Sequence, residues 1–513
     1  MANLALNGCS LTLEDLVQAA RDPNTQVTLA PEAIPGIQRA ADAVAKFVSK
    51  GQIAYGITTG FGAFKDRLIP PEDVEKLQEN IILSHAVGTG PELPAEVVRA
   101  MMIIRANTLA KGHSGIRLET LHLMLALLNK NVLPTIPSRG SLGASGDLAP
   151  LAHMALPLIG QGEVRFQGQV RPSAEVLQEN GLEPIKLSAK EGLALTNGTT
   201  LMTAIGALQV YDAQVVLRSA NCAAALSLEA QNGTLRAYSP QIHASRPQPM
   251  QAETAANLLE LLAGSQLTRP DNSKNVQDAY TLRCVPQVHG AVHSAINYAQ
   301  TVIEIELNAV TDNPLLFFNG NDDVTILSGG NFHGEPLALA LDFLSIAMTD
   351  LGNISERRIA KLIDNNPEHY PSFLAAHGGL NSGFMLLQYT AAALCSENKT
   401  LAHPDSVDSI PSSGNVEDHV SMGANAALHC QQIVENVRTV IAIELMSAAQ
   451  AIDFRLQENV SLSLGQGTSK AYHAIREVVP FFEQDTYFKP SMDAVAELVK
   501  QGRFCTDLDL LYK

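Results

Sequence analysis

Apolar residues recur at helical spacing through most of the second part of the chain, in stretches that carry few charges. Beyond about residue 200 this pattern predicts helices over residues 201–231, 251–264, 286–308, 335–363, 381–401 and 417–455, with shorter ones after them. In the last of these, Ile433, Val437 and Val440 fall on one face and Ile441 and Leu445 on another. A helix that is apolar on several faces is buried against other helices, so we expect a bundle that also packs against other subunits.

In the first 200 residues the stretches of regular apolar spacing are shorter, and they predict both helices and a β-hairpin. They predict helices over residues 13–21, 36–49, 95–111, 116–130 and 148–159, a helix opened by Pro70 and Pro71, and a hairpin over 163–170. In the helix after Pro71, His85 recurs at four-residue spacing with Leu77 and Ile81 and therefore shares their apolar face. We expect a mainly α-helical protein, with a mixed N-terminal region over 1–200 and a long-helix bundle with C-terminal helices over 201–513.

Two glycine-rich stretches interrupt the N-terminal helices. Residues 55–62, Tyr-Gly-Ile-Thr-Thr-Gly-Phe-Gly, carry three glycines and one phenol and predict a loop. Residues 140–150, Gly-Ser-Leu-Gly-Ala-Ser-Gly-Asp-Leu-Ala-Pro, place Ala144 and Ser145 between two glycines. Because Gly146 has no Cβ, its nitrogen can approach a neighbouring carbonyl closely, which would permit chemistry of the backbone itself. Taken alone, the stretch is more typical of a tight turn followed by a helix.

Composition narrows the functional classes. The chain carries 35 Lys and Arg against 52 Asp and Glu, a net charge of −17, which argues against a clustered basic surface for nucleic acid. Six cysteines without a Cys-x-x-Cys pair predict neither a disulfide framework nor a zinc knuckle and fit a reducing cytoplasm. No basic N-terminal segment and no uninterrupted apolar run of roughly 18 residues indicates membrane targeting. We expect a cytoplasmic protein that binds neither nucleic acid nor membrane.

Two groups of polar residues in the second part of the chain have spacings that suggest chemistry. Gln277, Tyr280 and Arg283 follow one another in steps of three, which places an amide, a phenol and a guanidinium near one side of a helical turn. A guanidinium suits a carboxylate, although a solvated polar face has the same pattern. His289 and His293 at i and i+4 could share a metal ion, but no third ligand stands nearby, and we predict no metal site.

Several other polar residues each have an ordinary structural interpretation. Asp147 stands near the predicted N-cap of the helix that follows the second glycine-rich stretch, and Asn197 is typical of a turn. Glu417 and Asp418 follow Ser-Gly-Asn and are typical of the acidic first turn of a helix. His85, taken alone, is typical of a core histidine.

Together, these features resemble the aromatic amino acid ammonia-lyase family. The motifs that carry the resemblance are residues 55–62, Gly143-Ala144-Ser145-Gly146-Asp147-Leu148, the block from Tyr280 to Arg283, Ser396-Glu397-Asn398-Lys399 and Glu417-Asp418-His419-Val420-Ser421-Met422. The resemblance spans nearly the whole chain. It implies the long-helix bundle of the aspartase/fumarase-like ammonia-lyase superfamily, an amino acid as substrate, and a homotetramer whose active sites draw residues from several subunits.

The resemblance also implies a cofactor made from the chain. In this family the nitrogen of the residue matching Gly146 attacks the carbonyl of the residue matching Ala144, and loss of two waters turns Ser145 into an exocyclic methylidene. The product is methylidene-imidazolone, an electrophile that accepts the substrate's amine or its aromatic ring, and no external cofactor is implied. Such a covalent route splits one difficult elimination into easier steps.

The family resemblance assigns roles to the polar residues. Tyr55 is implied as the base that removes the β-proton, with Tyr280 supporting the electrophile or sharing the proton transfer, and the choice between them stays open. Arg283 would hold the substrate carboxylate. Asn197 and Gln277 would orient the electrophile and the carboxylate.

Substrate choice depends on residues that would face the substrate ring. His85 and Glu417 match the residues that face an imidazole in the histidine enzymes of the family, and Phe332 would form a wall of the pocket. A carboxylate at 417 favours an imidazole N–H over a phenyl ring. Val416 departs from the glutamine that often stands there. The resemblance thus favours deamination of L-histidine to trans-urocanate and ammonia; tyrosine or phenylalanine lyases, an aminomutase, or a non-catalytic helical scaffold are the alternatives.

Overall fold

The computed structural model of the chain describes residues 2–60, 64, 66–270, 276–320, 323–364 and 369–504. Within these ranges it contains eighteen α-helices and nine short β-strands, so the prediction of a mainly helical protein is confirmed. The helices are α1 (Leu13–Arg21), α2 (Ile34–Ser49), α3 (Val74–His85), α4 (Ala95–Ala110), α5 (Leu118–Asn129), α6 (Leu148–Ala155), α7 (Ser173–Glu179), α8 (Glu191–Thr196), α9 (Thr200–Ala230), α10 (Pro240–Ala244), α11 (Pro249–Leu261), α12 (Tyr280–Arg283), α13 (Val285–Leu307), α14 (Glu335–Ile363), α15 (Met385–Leu401), α16 (Gly423–Glu458), α17 (Gln466–Val478) and α18 (Lys489–Lys500).

The chain divides into two compact units, each built from segments that are distant in sequence. The first comprises Met1–Tyr211, Ala299–Asp342 and Pro404–Leu428, and the second comprises Asp212–Tyr298, Phe343–His403 and His429–Lys513. Both units are therefore interleaved along the chain. The division of the sequence near residue 200 stays a prediction.

The strands form four small sheets, all within the first unit. They are β1 (Asn3–Leu6), β2 (Gln26–Leu29), β3 (Thr89–Glu92), β4 (Leu133–Pro134), β5 (Pro137–Arg139), β6 (Glu163–Phe166), β7 (Gln169–Pro172), β8 (Leu315–Asn319) and β9 (Asp323–Leu327). β1 pairs with β2 in parallel, β3 with β5 antiparallel, and β4, β6 and β7 form one three-stranded sheet. The predicted hairpin is β6 and β7, whereas the hairpin of β8 and β9 was not predicted.

Helix α4 forms much of the core of the first unit. Every residue from Val97 to Ala110 is buried, so the helix has no solvated face and its sequence is almost uniformly apolar. Two arginines are exceptions. Arg99 donates to the carbonyls of Ala19 and Leu128, and Arg105 donates to one carbonyl within α8 and to one that directly follows it. Buried guanidinium groups are tolerated where backbone carbonyls accept their N–H groups, although Nε of Arg105 has no hydrogen-bond partner among the described residues.

Helices α9 and α14 are long and apolar enough to cross a membrane, judged by length and composition alone. In the most apolar window of α9, 89% of the residues are buried, and in that of α14 the share is 56%. Burial of this extent is also what core helices of a folded domain show.

A buried ion pair joins two helices in the second unit. Arg358 on α14 donates from Nε and Nη2 to the two carboxylate oxygens of Glu444 on α16, at 2.6 and 2.9 Å, and both side chains are fully buried. The hydroxyls of Ser227 and Ser355 donate to the same carboxylate at 2.7 and 2.6 Å. The carboxylate therefore receives four hydrogen bonds, which offset its loss of hydration.

We expect Arg358→Met to lower the free energy of unfolding by about 3–5 kcal/mol, because it leaves the carboxylate of Glu444 buried without its counter-charge. Urea denaturation followed by circular dichroism measures the change. The matched control is Arg357→Met, because this neighbouring arginine is 60% exposed in its pair with Glu356 and should contribute at most about 1 kcal/mol. Equal effects of the two substitutions would contradict the prediction.

Candidate active site

The glycine-rich loop before α6 folds into a turn that only glycine permits at two positions. Gly143 and Gly146 both have φ of +76°. A Cβ built on Gly146 would lie 2.1 Å from the carbonyl oxygen of Gly198, and one on Gly143 would lie 2.1 Å from Oγ of Ser421. Side chains at either position would therefore meet both steric collision and backbone strain. The loop brings its own backbone directly against the backbone of residue 198.

Distant segments of the first unit hold this loop through its carbonyls. The carbonyl of Leu142 accepts a hydrogen bond from the amide of Met422 at 3.0 Å. The carbonyl of Gly143 accepts one from the amide of Gly334 at 3.0 Å and one from the hydroxyl of Ser421 at 3.2 Å. The turn is thus fixed by the segments that precede α14 and α16.

Ser145 lies at the centre of a hydrogen-bonded group. Its hydroxyl donates to Oε1 of Glu417 at 2.8 Å, and its carbonyl accepts from Nδ2 of Asn197 at 2.7 Å. The amide of Gly198 donates to the same carbonyl at 3.4 Å. The second carboxylate oxygen of Glu417 accepts from the hydroxyl of Ser412 at 3.0 Å. The structure therefore brings together three of the residues singled out in the sequence: Ser145, Asn197 and Glu417.

Asp147 was predicted to cap α6, but its side chain makes its hydrogen bonds elsewhere. It occupies the N-cap position of α6 but makes no side-chain capping bond there. Its buried carboxylate instead accepts from the amides of Leu201 and Met202 at 2.8 and 3.1 Å, at the start of α9, and from the hydroxyl of Ser141 at 2.8 Å. Burial raises the pKa of Asp147 to about 6, against the opposing effect of these hydrogen bonds and of Arg105. One carboxylate thus joins the loop to a long helix.

Three buried charged side chains, Arg105, Lys190 and Asp312, lie close to Asn197. Arg105 donates to the carbonyl of Asn197 at 2.9 Å and to that of Ala194 at 3.2 Å. Burial lowers the pKa of Arg105 to about 10, and the nearby carboxylates of Asp312 and Asp147 oppose that shift. Lys190 pairs with Asp312 at 2.6 Å, with both side chains fully buried. These contacts fix the backbone that presents Asn197 to Ser145.

A cavity of about 880 Å³ opens beside Ser145 within the first unit. Six of the predicted site residues line it, namely Tyr55, His85, Ser145, Asn197, Phe332 and Glu417. Further lining residues are Phe64, Arg67, Leu77, Asn80, Ile81, Leu148, Leu193, Asn313, Ser328 and Ser413. The volume suits a small organic molecule, and the wall is mainly apolar with a few convergent polar groups. Phe61 and Gly62 of the first glycine-rich stretch lie outside the described residues.

His85 is the last residue of α3 and is half-buried in the cavity wall. Its Nδ1 lies 3.0 Å from the hydroxyl of Ser84. Burial lowers the pKa of His85, while the carbonyl of Ile81 and the charge of Glu417 partly oppose this shift. The ring is therefore neutral near pH 7 and can donate or accept a hydrogen bond in the same cavity as the carboxylate of Glu417.

The predicted cluster of Gln277, Tyr280 and Arg283 belongs to the second unit and is absent from the lining of this cavity. Helix α12 spans only Tyr280–Arg283, so Gln277 precedes the helix and the expected single helical face is wrong for it. The guanidinium of Arg283 lies over the ring of Tyr280, 4.5 Å from its centroid. Tyr280 is 70% exposed and lies at a surface of the chain, whereas Arg283 is half-buried.

The structural interpretation of Glu417 and Asp418 as first-turn acids is wrong. Helix α16 begins at Gly423, six residues later than predicted for this element. Residue 417 instead forms an isolated antiparallel bridge with Ser412. This tight bridge turns the carboxylate of Glu417 toward Ser145.

Comparison with known proteins identifies the family. The family model described as aromatic amino acid lyase matches residues 11–477. The chain belongs to the aromatic amino acid lyase family. It is 56% identical to the histidine ammonia-lyase of Chloroflexus aurantiacus, over 97% of this chain and 96% of the relative.

Two solved structures of aromatic lyase relatives have the same fold. The crystal structure of histidine ammonia-lyase from Trypanosoma cruzi is 41% identical, with a TM-score of 0.91 over 99% of this chain and 95% of that one. A tyrosine aminomutase from Streptomyces globisporus is 36% identical, with a TM-score of 0.92 over 99% of this chain and 98% of that one. The chain is therefore a carbon–nitrogen lyase with the long-helix fold of its family.

Members of this aromatic lyase family generally depend on methylidene-imidazolone formed from an internal tripeptide. The residues present here fit that group. Residue 146 has no side chain to hinder its nitrogen, and none could be accommodated beside Gly198. The hydroxyl of Ser145, which would leave as water, faces a carboxylate, and the Ser145 carbonyl has two N–H donors.

Sequence reasoning missed several residues of this lyase site. Arg67 and Asn80 line the cavity, and Ser412 holds Glu417, yet nothing in their local sequence distinguishes them from surface polar residues. The sequence does contain an indication that Arg105 has a structural role. A charge in the middle of the apolar run of α4 requires buried partners, and those partners are the carbonyls of Ala194 and of Asn197 itself.

Proposed function

We propose that this chain is a histidine ammonia-lyase, which converts L-histidine to trans-urocanate and ammonia in the first step of histidine degradation. The observation that carries the proposal is the hydrogen bond between Ser145 of the Ala-Ser-Gly tripeptide and Glu417, in a cavity that His85 also lines. A carboxylate and a neutral imidazole so close to the reactive tripeptide suit a ring with its own N–H groups. The names of the relatives support the same substrate.

The proposed cofactor is methylidene-imidazolone formed from Ala144, Ser145 and Gly146, without an external cofactor. Once formed, it supplies an electrophile that the substrate attacks through its amine or its ring. Asn197 and the amide of Gly198 would hold the oxygen of residue 145 and so orient the group. Glu417 would accept an N–H of the substrate imidazole and stabilise positive charge on that ring.

The remaining roles follow from the chemistry of each side chain. Tyr55 lines the cavity and is proposed as the base for the β-proton, with Tyr280 as the alternative base or as a support for the electrophile. Arg283 would bind the substrate carboxylate as a bidentate partner, with Gln277 orienting it. Phe332 would pack against the substrate ring.

We further propose a cytoplasmic homotetramer in which several subunits contribute to each active site. Leu339, Phe343 and Ile346 follow one another on one face of α14, and each is between 46% and 50% exposed in the isolated chain. Exposed apolar residues at helical spacing are typical of an interface. The exposed position of Tyr280 and its absence from the cavity lining agree with donation of the α12 residues to another subunit's site.

Mixed tetramers should reveal the shared site. Tyr55→Phe and Arg283→Ala are each expected to lower kcat/KM for histidine by about 100-fold, through loss of a proton-transfer group and of a charged hydrogen bond respectively. Co-expressed, the two variants should give activity well above the sum of the separate variants, because hybrid tetramers would contain some complete sites.

The control for this experiment pairs Tyr55→Phe with His85→Ala, since both residues line the same cavity of one chain. That pair should show no gain on co-expression. Absence of a gain for Tyr55→Phe with Arg283→Ala, in tetramers shown by native mass spectrometry to be mixed, would contradict shared sites.

The substrate assignment is tested with the purified enzyme. Incubation with L-histidine should produce the ultraviolet absorbance of a conjugated acid, urocanate, whereas phenylalanine and tyrosine should give little cinnamate or coumarate. The reverse result would favour the tyrosine or phenylalanine lyases, and a β-amino acid product would favour an aminomutase. An unmodified peptide containing residues 144–146 and no turnover would favour a non-catalytic scaffold.

A further inference from the structure

A cluster of three side chains in the first unit lies outside the residues used above. His333 follows Phe332 directly, Glu335 begins α14, and His419 lies two residues after Glu417. One ring nitrogen from each histidine and one carboxylate oxygen of Glu335 all lie within 4.8 Å of one another. The two imidazole rings are parallel, with centroids 5.7 Å apart and an interplanar angle of 4°. Two imidazoles and a carboxylate form a familiar ligand set for zinc.

The carboxylate of Glu335 has an unsatisfied oxygen. Oε2 is buried and has no hydrogen-bond partner among the described residues, although its nearest cationic candidate, Nε2 of His419, lies 3.9 Å away. That distance is too long for a hydrogen bond. A buried carboxylate oxygen without a partner is costly and marks a place where a ligand is expected.

Both ring nitrogens of His333 have hydrogen-bond partners, and these partners define which nitrogen carries the lone pair. Nε2 lies 3.3 Å from the backbone carbonyl of His419 and, because a carbonyl only accepts, Nε2 carries the proton and donates it. Nδ1 therefore holds a lone pair, which now accepts a long 3.3 Å hydrogen bond from the amide of Glu335. Metal-binding histidines commonly donate their other N–H to a backbone carbonyl, which fixes the ring and its tautomer.

We propose that His333, Glu335 and His419 bind a divalent transition-metal ion of the zinc class. His333 would bind through Nδ1, His419 through Nε2 and Glu335 through Oε2, and water would take a fourth position. The three ligand atoms are somewhat farther from one another than in an occupied zinc site. Small side-chain rotations would therefore be needed to place each of them about 2.0–2.2 Å from a central Zn²⁺. The ion would tie the segment after Phe332 to the segment after Glu417.

Zinc binding to the whole enzyme tests this site. After treatment with a chelator and dialysis, the wild-type enzyme should bind one Zn²⁺ per chain by calorimetry and elemental analysis, and Co²⁺ should give the visible spectrum of a tetrahedral site. His419→Ala and Glu335→Gln should each weaken Zn²⁺ binding by at least about tenfold. Zn²⁺ should raise the Tm of the wild type and leave that of His419→Ala unchanged.

Two variants separate this site from other imidazoles. His122→Ala removes an exposed histidine on α5, and His85→Ala removes the histidine of the cavity; both should keep wild-type stoichiometry and affinity. Circular dichroism and the metal-free Tm establish that each variant is folded. The proposal is overturned if the folded wild type binds no Zn²⁺, if His419→Ala and Glu335→Gln bind it as tightly as wild type, or if His85→Ala abolishes binding.

Discussion

Ser145→Ala should abolish formation of the proposed cofactor and lower kcat for histidine by at least about 10³-fold, because none of the described residues that line the cavity has an electrophilic side chain. In the proposed cyclisation, the hydroxyl of Ser145 would leave as water in one of the two dehydrations. Mass spectrometry of the peptide containing residues 144–146 should show wild-type material lighter by two waters, and the variant peptide should lack this mass loss.

The control for this prediction is Ser328→Ala. Ser328 lines the same cavity, and its hydroxyl accepts a hydrogen bond from Nδ2 of Asn313 at 2.9 Å; within the described residues it makes no hydrogen bond to the tripeptide. This variant should retain the loss of two waters and most of the turnover. Full activity in Ser145→Ala, or a wild-type peptide without the mass loss, would contradict the proposed electrophile.

Glu417→Gln should lower kcat/KM for L-histidine by about 100-fold, the range expected for a hydrogen bond to a charged group. The amide keeps the shape of the side chain but cannot favour positive charge on the substrate imidazole. For phenylalanine, whose ring has no N–H, the loss should be much smaller, so the ratio of the two kcat/KM values should move toward phenylalanine. Steady-state assays with both amino acids measure this ratio.

Asp418→Asn is the matched control because it makes the same charge change at the next residue, whose side chain is exposed. We expect near wild-type kinetics from it. Glu417 also accepts a hydrogen bond from the hydroxyl of Ser145, so the substitution could affect formation of the cofactor. Mass spectrometry of the peptide containing residues 144–146 must therefore show that Glu417→Gln still loses two waters. A parallel fall for histidine and phenylalanine in fully matured enzyme would contradict the role of Glu417 in substrate choice.

Long apolar periodicity predicted most of the helices well. The stretch over 335–363 coincides with α14, and that over 13–21 coincides with α1, where the hydroxyl of Thr12 caps the amide of Asp15. Errors arose where tertiary contacts override local pattern. The predicted start at 417 failed because the bridge between Ser412 and Glu417 delays α16. The hairpin of β8 and β9 was missed because its segment has no strong alternation, with Leu-Leu-Phe-Phe in β8.

The family resemblance, rather than local sequence, indicated which residues line the cavity, and neither of them indicated the contacts of those residues. Resemblance to the family pointed to six residues that do line one cavity, but it could not show that Asp147 caps α9 rather than α6. The cluster of His333 and His419 was also missed, since these residues are 86 positions apart and only the fold makes them neighbours. Spacing rules compare residues along one helix, as for His289 and His293, where we predicted no metal site, and they do not detect candidate ligands from separate segments.

The contacts that hold the glycine-rich loop have a consequence for the order of events during synthesis. Ser421, whose hydroxyl binds the carbonyl of Gly143, is 278 residues downstream, and Met422 and Gly334 are also late partners. At roughly 5–20 residues per second, the ribosome takes roughly 15 to 55 seconds to make the intervening chain. Until residues 421 and 422 are made, the loop lacks two of the hydrogen bonds that hold its carbonyls, while Asn197 and Gly334 are already available. We therefore expect a nascent or truncated chain that ends before residue 421 to hold the tripeptide less firmly than the full-length chain, and the proposed cyclisation to be slower in it.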